Sequence, residues 1–280
     1  MEILKTIEEV KVYRDFGRKK EATLGLVPTM GALHKGHLSL VTKSISENTT
    51  TIASIFVNPI QFTHDTDLKQ YPRTVDSDID LLKNAGCSAL FLPGENEMYK
   101  GKPIVTMQFG SLDTVMEGAF RPGHFSGVGI VVAKLFAIIQ PTNAYFGQKD
   151  LQQFLVIQQL VKDLSIETKV HRCPILREAD GLAMSSRNRR LTTENRAAAS
   201  KIYESLCLAE KMLLTEGIEN TKKAVRLFLA KYNELTLEYL EIVDSTTLSS
   251  IDTVEKNLPT AICIAVYLDG VRLIDNLVIE

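Results

Sequence analysis

Val27-Pro28-Thr29-Met30-Gly31-Ala32-Leu33-His34-Lys35-Gly36-His37 joins an apolar, β-type run to an amphipathic stretch. Residues 23–28 read as a strand and residues 38–47 as a helix, with two glycines and two histidines between them. The pattern then repeats down the chain. Strands are predicted at 51–57, 88–92, 143–146 and 167–173, with helices at 74–85, 127–139 and 151–164. Gly86, Pro93-Gly94 and Pro141 supply the stops. Strand and helix alternating at this spacing call for parallel β-α-β units with both sheet faces covered, an α/β fold. Such sheets bind ligands beyond the carboxyl ends of their strands, so functional residues are expected to follow strands.

After about Leu176 the texture changes. Residues 194–215 form a long amphipathic pattern with Ile202, Leu206, Ala209 and Leu213 at helical spacing, ended by Gly217. A second helix is expected over 221–233, then strands at 237–243, 261–268 and 271–278, the last two joined by an Asp269-Gly270 hairpin turn. The chain therefore divides into a parallel-sheet domain over residues 1–176 and a smaller α+β domain over 177–280, closing over the site.

Composition bounds the function. The 280 residues carry 32 Lys+Arg against 34 Asp+Glu, a formal net charge of −2, which argues against a chain that coats nucleic acid or an anionic membrane. No apolar run approaches the roughly 18 residues of a membrane helix, and the N-terminus lacks a signal-peptide core. Cys87, Cys173, Cys207 and Cys263 lie far apart, as expected of reduced thiols in a cytoplasmic protein.

Five clusters carry chemistry. In the first, His34 and His37 are three apart and share a face if a helix begins there, Gly31 and Gly36 leave room for a flat ligand, and the helix start favours an anion. A zinc reading of the pair lacks a third ligand. The second, Phe56-Val57-Asn58-Pro59-Ile60-Gln61-Phe62, offers Asn58 and Gln61 on a rigid turn, suited to a small polar substrate or to turn chemistry alone. Asp76, Asp78 and Asp80 follow at a spacing that suits either Mg²⁺ or the first turn of a helix. The third, Glu117 to Gly127 with Arg121 and His124, reads either as a cationic loop near an anion or as a plain helix entry. The fourth, Phe146-Gly147-Gln148-Lys149-Asp150, sits between strand and helix, where Lys149 is a mobile point charge and Gln153 lies one turn on. The fifth, Met184-Ser185-Ser186-Arg187-Asn188, is suited to closing over a triphosphate. Together they predict a pocket of cations, His34, His37, Arg121, His124, Lys149 and Arg187, gathered at strand ends.

In this order and spacing the clusters resemble the pantoate–β-alanine ligase family, within the H-x-G-H nucleotidylyl transferases. The resemblance runs from about Thr23 to Thr192 and is less diagnostic beyond. It implies a Rossmann-like first domain, a homodimer, and ligation of pantoate to β-alanine driven by ATP with Mg²⁺, through a pantoyl adenylate that releases pyrophosphate and then AMP. Carried over by position, it implies ATP contacts along Met30, Gly31, Ala32, Leu33, His34, Lys35, Gly36 and His37. Further ATP contacts are implied at Gly147, Gln148, Lys149, Asp150, Leu176, Met184, Ser185, Ser186 and Arg187. His37, His34 and Lys149 are the implied catalytic residues, Gln61 and Gln153 the implied pantoate and β-alanine contacts, and Asp78 the implied Mg²⁺ ligand. Gln148 stands where the family usually has glutamate. The competing readings are a nucleotidylyl transferase that stops after joining AMP to a phosphate ester, a tRNA synthetase, for which the chain offers little room or charge, and a nucleotide-binding regulatory module, which needs neither both histidines nor the Met-Ser-Ser-Arg loop.

Overall fold

The computed structural model describes residues 1–17, 22–254 and 258–279; positions 18–21, 255–257 and 280 of the two expected domains lie outside the described residues. The first half alternates as its sequence pattern predicts. In chain order come β1 (Glu2–Leu4), α1 (Ile7–Gly17), β2 (Leu24–Thr29), α2 (Lys35–Glu47), β3 (Thr50–Ile55), α3 (Asp65–Gln70), α4 (Val75–Asn84), β4 (Ala89–Phe91) and α5 (Glu95–Met98). Then follow α6 (Met116–Phe120), α7 (His124–Ile139), β5 (Asn143–Gly147), α8 (Leu151–Asp163) and β6 (Lys169–Cys173). The elements β1, α1, α3, α5 and α6 lie outside those that the sequence pattern predicts.

All six strands pair in parallel, in the order β1-β4-β3-β2-β5-β6. The order reverses between β2 and β5, and this switch point leaves a crevice beyond their carboxyl ends. Both strands are buried along their middles, Leu26 and Val27 in one and Ala144, Tyr145 and Phe146 in the other, as strands covered by helices on two faces must be. The helix α7 is apolar nearly all round, with eleven of its sixteen residues buried, and it fills one face of the sheet.

The C-terminal region is α9 (Thr193–Leu229) followed by β7 (Leu235–Asp244), β8 (Thr260–Leu268) and β9 (Val271–Ile279) in one antiparallel sheet. Gly217, with φ 73 and ψ 176, is non-helical and divides α9 into the two expected helices. Asp269 and Gly270 both have positive φ, 50 and 71, as a tight hairpin turn requires. The small sheet is buried on both faces. Ile262, Ile264, Val266 and Leu268 pack with Ile202, Leu206 and Leu213 of α9, whereas Val243, Ala261 and Cys263 join Phe146 and Leu151 in the core of the parallel-sheet body. Each fully buried Val or Leu contributes about 1.5–3 kcal/mol, so the two regions are fastened by a shared core.

A buried charge network reinforces that fastening. Between Leu237 and Tyr239 the β7–β8 register slips by one residue, a bulge that leaves Glu238 opposite no partner. The bulge turns Glu238 onto Arg272 and the Tyr239 hydroxyl onto Glu117, 2.9 Å away. Arg272 donates to both carboxylate oxygens of Glu117, at 2.6 and 2.7 Å. Burial alone would raise the Glu117 carboxyl, but the Arg272 fork and Arg121 outweigh it and hold the group down at about 2.

Candidate active site

A cleft opens at the β2/β5 switch point, lined among others by Met30, His34, Gly36, His37, Gln61, Gly147, Lys149, Asp150, Gln153, Leu176, Met184, Ser185, Ser186 and Arg187. Most of the residues that the sequence marks for ATP or substrate therefore share one space. The exceptions are instructive. Ala32 and Leu33 are fully buried beneath the cleft, Lys35 is exposed, and Gly31 and Gln148 lie outside the lining.

His34 is the N-cap of α2 and His37 its third residue, so the pair forms a capping box. The Gly36 N–H donates to His34 Nδ1 at 3.1 Å, and the His34 N–H to His37 Nδ1 at 3.4 Å. Each Nδ1 is thus an acceptor, which puts the ring proton on Nε2. Neither Nε2 has a hydrogen-bond partner among the described residues, and the two ring centroids lie 4.0 Å apart. Burial, helped by the nearby Lys149 and Arg189, lowers His34 to about 4. Burial and the His34 ring depress His37 well below its ordinary value. Burial thus favours the neutral form of both rings, with an N–H donor at each Nε2.

The two glycines of this loop make room for protein. A Cβ at Gly36 would meet the His34 ring at 2.9 Å, and one at Gly31, whose φ is +79, would press on Asp78 Oδ2 at 3.1 Å. Ala32 continues the left-handed turn with φ 50, a conformation that costs an L-residue about 1 kcal/mol or more. Asp78 holds that turn. Its two oxygens accept the N–H groups of Ala32 at 2.8 Å and Leu33 at 2.7 Å, and Thr74 Oγ1 donates to it at 3.1 Å. With the side chain buried and both oxygens on backbone donors, the geometry gives Asp78 a different occupation from the expected Mg²⁺ ligand. Among the described residues no group of three or more His, Cys, Asp or Glu could hold a metal ion.

Across the cleft, Gln61 sits in a 3₁₀ turn at Pro59–Gln61. Its Oε1 accepts from Asn58 Nδ2 at 2.9 Å, and Asn58 is itself anchored by the Tyr99 hydroxyl at 2.9 Å and by the Gly127 carbonyl at 3.1 Å. Gln61 Nε2 is left facing the Met30 sulfur at 3.1 Å. Beside it Phe56, Val128, Val131, Val132 and Leu135 make an apolar wall. Ser54, on the cleft side of β3, has a buried hydroxyl with no partner among the described residues. Sequence reading singles out neither Tyr99 nor Ser54, since a lone Tyr or a strand Ser has no local signature.

The 184–190 segment reaches from the C-terminal region onto the first loop. Ser186 Oγ donates to the Ala32 carbonyl at 2.9 Å and Arg189 to the Leu33 carbonyl at 2.8 Å. Leu176 turns its carbonyl to the Met184 N–H at 3.0 Å. Arg187 lies in the cleft wall, paired with Asp67 at 2.9 Å.

The Arg121–His124 loop, read as either a cationic loop near an anion or a plain helix entry, leads into α7 at His124. Arginine has no acceptor, so the 3.1 Å contact between Arg121 and His124 Nε2 makes that nitrogen the acceptor. His124 Nδ1–H then donates to the Gln61 carbonyl at 2.8 Å. Burial and the adjacent Arg121 push His124 down to about 3. It is a neutral brace behind Gln61.

Comparison with known proteins agrees with this geometry. A family model described as Pantoate-beta-alanine ligase matches residues 2–278. The pantothenate synthetase of Cytophaga hutchinsonii is 47% identical over 276 residues, covering 98% of each chain. That of Bacteroides fragilis is 44% identical over 277 residues, covering 99% of this chain and 98% of the relative. Among solved structures, pantothenate synthetase from Thermus thermophilus superposes with a TM-score of 0.93 at 39% identity over 100% of both chains. The pantoate-beta-alanine ligase from Francisella tularensis, complexed with beta-gamma ATP and beta-alanine, gives 0.83 at 36% identity, covering 99% of this chain and 97% of that one. A match over nearly the whole chain, with the histidine loop, the Gln61 turn and the Lys149 turn meeting at one switch point, makes this chain a member of the pantoate–β-alanine ligase family.

Proposed function

We propose that this cleft carries out both half-reactions of pantothenate formation. In the first, a pantoate carboxylate oxygen bonds to the α-phosphorus of MgATP, the bond from that phosphorus to the bridging oxygen breaks, and pyrophosphate leaves. In the second, the β-alanine amine attacks the acyl carbon, AMP leaves, and the amine gives up a proton. The observation that carries the reading is the pair of imidazoles whose proton-bearing Nε2 atoms are free of protein partners, in the cleft that Lys149, Arg187, Gln61 and Gln153 also line.

His34 and His37 donate to phosphate oxygens, and His37 does so most strongly as charge grows at the α-phosphorus. A bound triphosphate raises both imidazole pKa values, so the depressed values of the free protein are poised to climb on binding. Lys149 and Arg187 counter phosphate charge, Arg187 exchanging part of its pairing with Asp67. Gln61, held by Asn58, and Gln153 take the polar groups of pantoate, while Val128, Val131 and their neighbours receive its two methyl groups. Mg²⁺ arrives with the nucleotide as part of the substrate; no cage of protein carboxylates among the described residues holds it, consistent with the preference of this ion for phosphate and water.

The chain is proposed to work as a homodimer, supported by Ile104 and Val105, 97% and 66% exposed, beside the groove that runs under Phe125 and Ile130. A cytoplasmic setting is supported by four free cysteines, three of them buried. No helix among the described residues is long and apolar enough to cross a membrane. The decisive assay is pantoate-dependent ATP–pyrophosphate exchange without β-alanine, followed by pantothenate and AMP release when β-alanine is added. Folded protein without exchange would defeat this reading.

A further inference from the structure

The last strand, β9, alternates between two neighbours. Val271, Leu273 and Leu277 pack with the α9 core. Arg272, Asn276 and Val278 instead meet the parallel-sheet body, Arg272 at Glu117 and Val278 at the main core. Asn276 is 3% exposed and sits beside the turn that carries Lys149. Its one amide group donates to two consecutive carbonyls, Gln148 O at 2.8 Å and Lys149 O at 2.9 Å. Gln148 returns a long contact from its own amide to Asn276 Oδ1 at 3.4 Å.

These two carbonyls belong to the peptide planes on either side of Lys149. Peptide units are planar, so pinning both planes fixes φ and ψ at Lys149 and with them the direction of its Cα–Cβ bond. Asn276 is in turn held. Asp275 accepts the Asn276 N–H at 2.8 Å and takes both arms of Arg177, at 2.6 and 3.1 Å, while Arg177 also donates to the Asn276 carbonyl at 3.2 Å. The Arg177 guanidinium is braced over the Tyr203 ring, 3.9 Å from its centre. A chain of polar contacts thus runs from α9 through Arg177 and β9 to the backbone of a residue in the nucleotide cleft.

We propose that Asn276 is a positioning residue for Lys149: the C-terminal sheet, which touches no reacting atom, sets the aim of the lysine that meets the phosphates. The proposal rests on the reading of Lys149 as a phosphate contact, and the test separates the two. Asn276→Ala removes both donors and frees the turn. Pantoate-dependent ATP–pyrophosphate exchange is expected to lose about 10- to 100-fold in kcat, as a displacement near 1 Å does. The KM for pantoate, which Lys149 does not set, stays within about twofold. In a Lys149→Ala background, Asn276→Ala should then cost less than about twofold, because there is no lysine left to aim. The melting temperature falls in both backgrounds, since the two carbonyls lose their donor in each, so kinetic coupling and not stability reports the positioning. An exchange rate within about twofold of the parent, or a full repeat of the loss over Lys149→Ala, overturns the proposal. Parent-like exchange in Lys149→Ala alone overturns the reading of Lys149 instead. Asn276→Ser, whose hydroxyl serves one carbonyl, carries the same cycle if the alanine variant does not fold, with a smaller loss expected.

Discussion

Two loops of this molecule carry basic side chains three residues apart, His34 with His37 and Arg121 with His124, and the protein uses them in opposite ways. In the first, backbone N–H groups occupy both Nδ1 atoms, so each ring turns a proton-bearing Nε2 to the cleft. In the second, Arg121 occupies Nε2 and the Gln61 carbonyl takes the Nδ1 proton, so the ring has no valence left for a ligand. Residue type and spacing are alike; the difference is which ring nitrogen the protein itself consumes. A histidine is available for chemistry only where its neighbours leave a nitrogen unspent.

The largest effect should therefore come from His37→Ala. Loss of a donor that strengthens in the transition state is expected to slow pantoate-dependent exchange by about 10²–10³, with little change in melting temperature. A near-parental rate would remove His37 from the chemistry and collapse the contrast. Next comes Asp78→Asn, which keeps one acceptor but sets an amide N–H against a backbone N–H of the first loop. Exchange should fall by about 10- to 100-fold through misplaced imidazoles, while the Mg²⁺ concentration for half-maximal rate stays put. A raised Mg²⁺ requirement would return Asp78 to the metal.

His124→Ala probes the other loop. It unpairs the Gln61 carbonyl and takes one acceptor from Arg121, which keeps only Glu117 at 3.5 Å, so stability should fall by about 1–3 kcal/mol, the pantoate KM should rise, and kcat should drop by about tenfold at most. A rate loss as deep as that of His37→Ala, without loss of stability, would erase the distinction between the loops. Acidification probes both loops together. The unfolded chain protonates its histidines near their ordinary value of 6.5, whereas folded His34 resists to about 4 and His124 to about 3. The unfolded state then binds more protons across that window, and melting temperature should decline as pH falls from about 6.5 toward 4. A saturating, non-hydrolysed ATP analogue should flatten the decline by raising His34 and His37 but leave the share of His124, which differential scanning of the bound and free protein would resolve.

The parallel sheet is legible in the sequence because buried strands and their stops are local patterns, and the cleft because β-α-β order places strand ends together. What stays hidden joins residues remote in sequence. Asp78 answers Ala32 and Leu33 from 46 and 45 residues away, and an acidic helix start looks the same whether its carboxylate meets water, a metal or a distant backbone N–H. Tyr99 reaches Asn58 across 41 residues, and Arg272 reaches Glu117 across 155. The positions of the histidines can be read from the motif but their charge cannot, because burial and tautomer depend on packing that no motif records. Gln148, conspicuous as a departure from the family pattern, faces Asn276 and stands outside the cleft lining.

The separation of 127 residues between Lys149 and Asn276 has a bearing on how the enzyme comes into being. Contacts so far apart close late, after the local β-α units have formed. During synthesis the ribosome delivers the histidine loop, the Gln61 turn and the whole parallel sheet well before β9 emerges. If Asn276 aims Lys149 as proposed, translation delivers the residues of the crevice before the strand that orients its lysine.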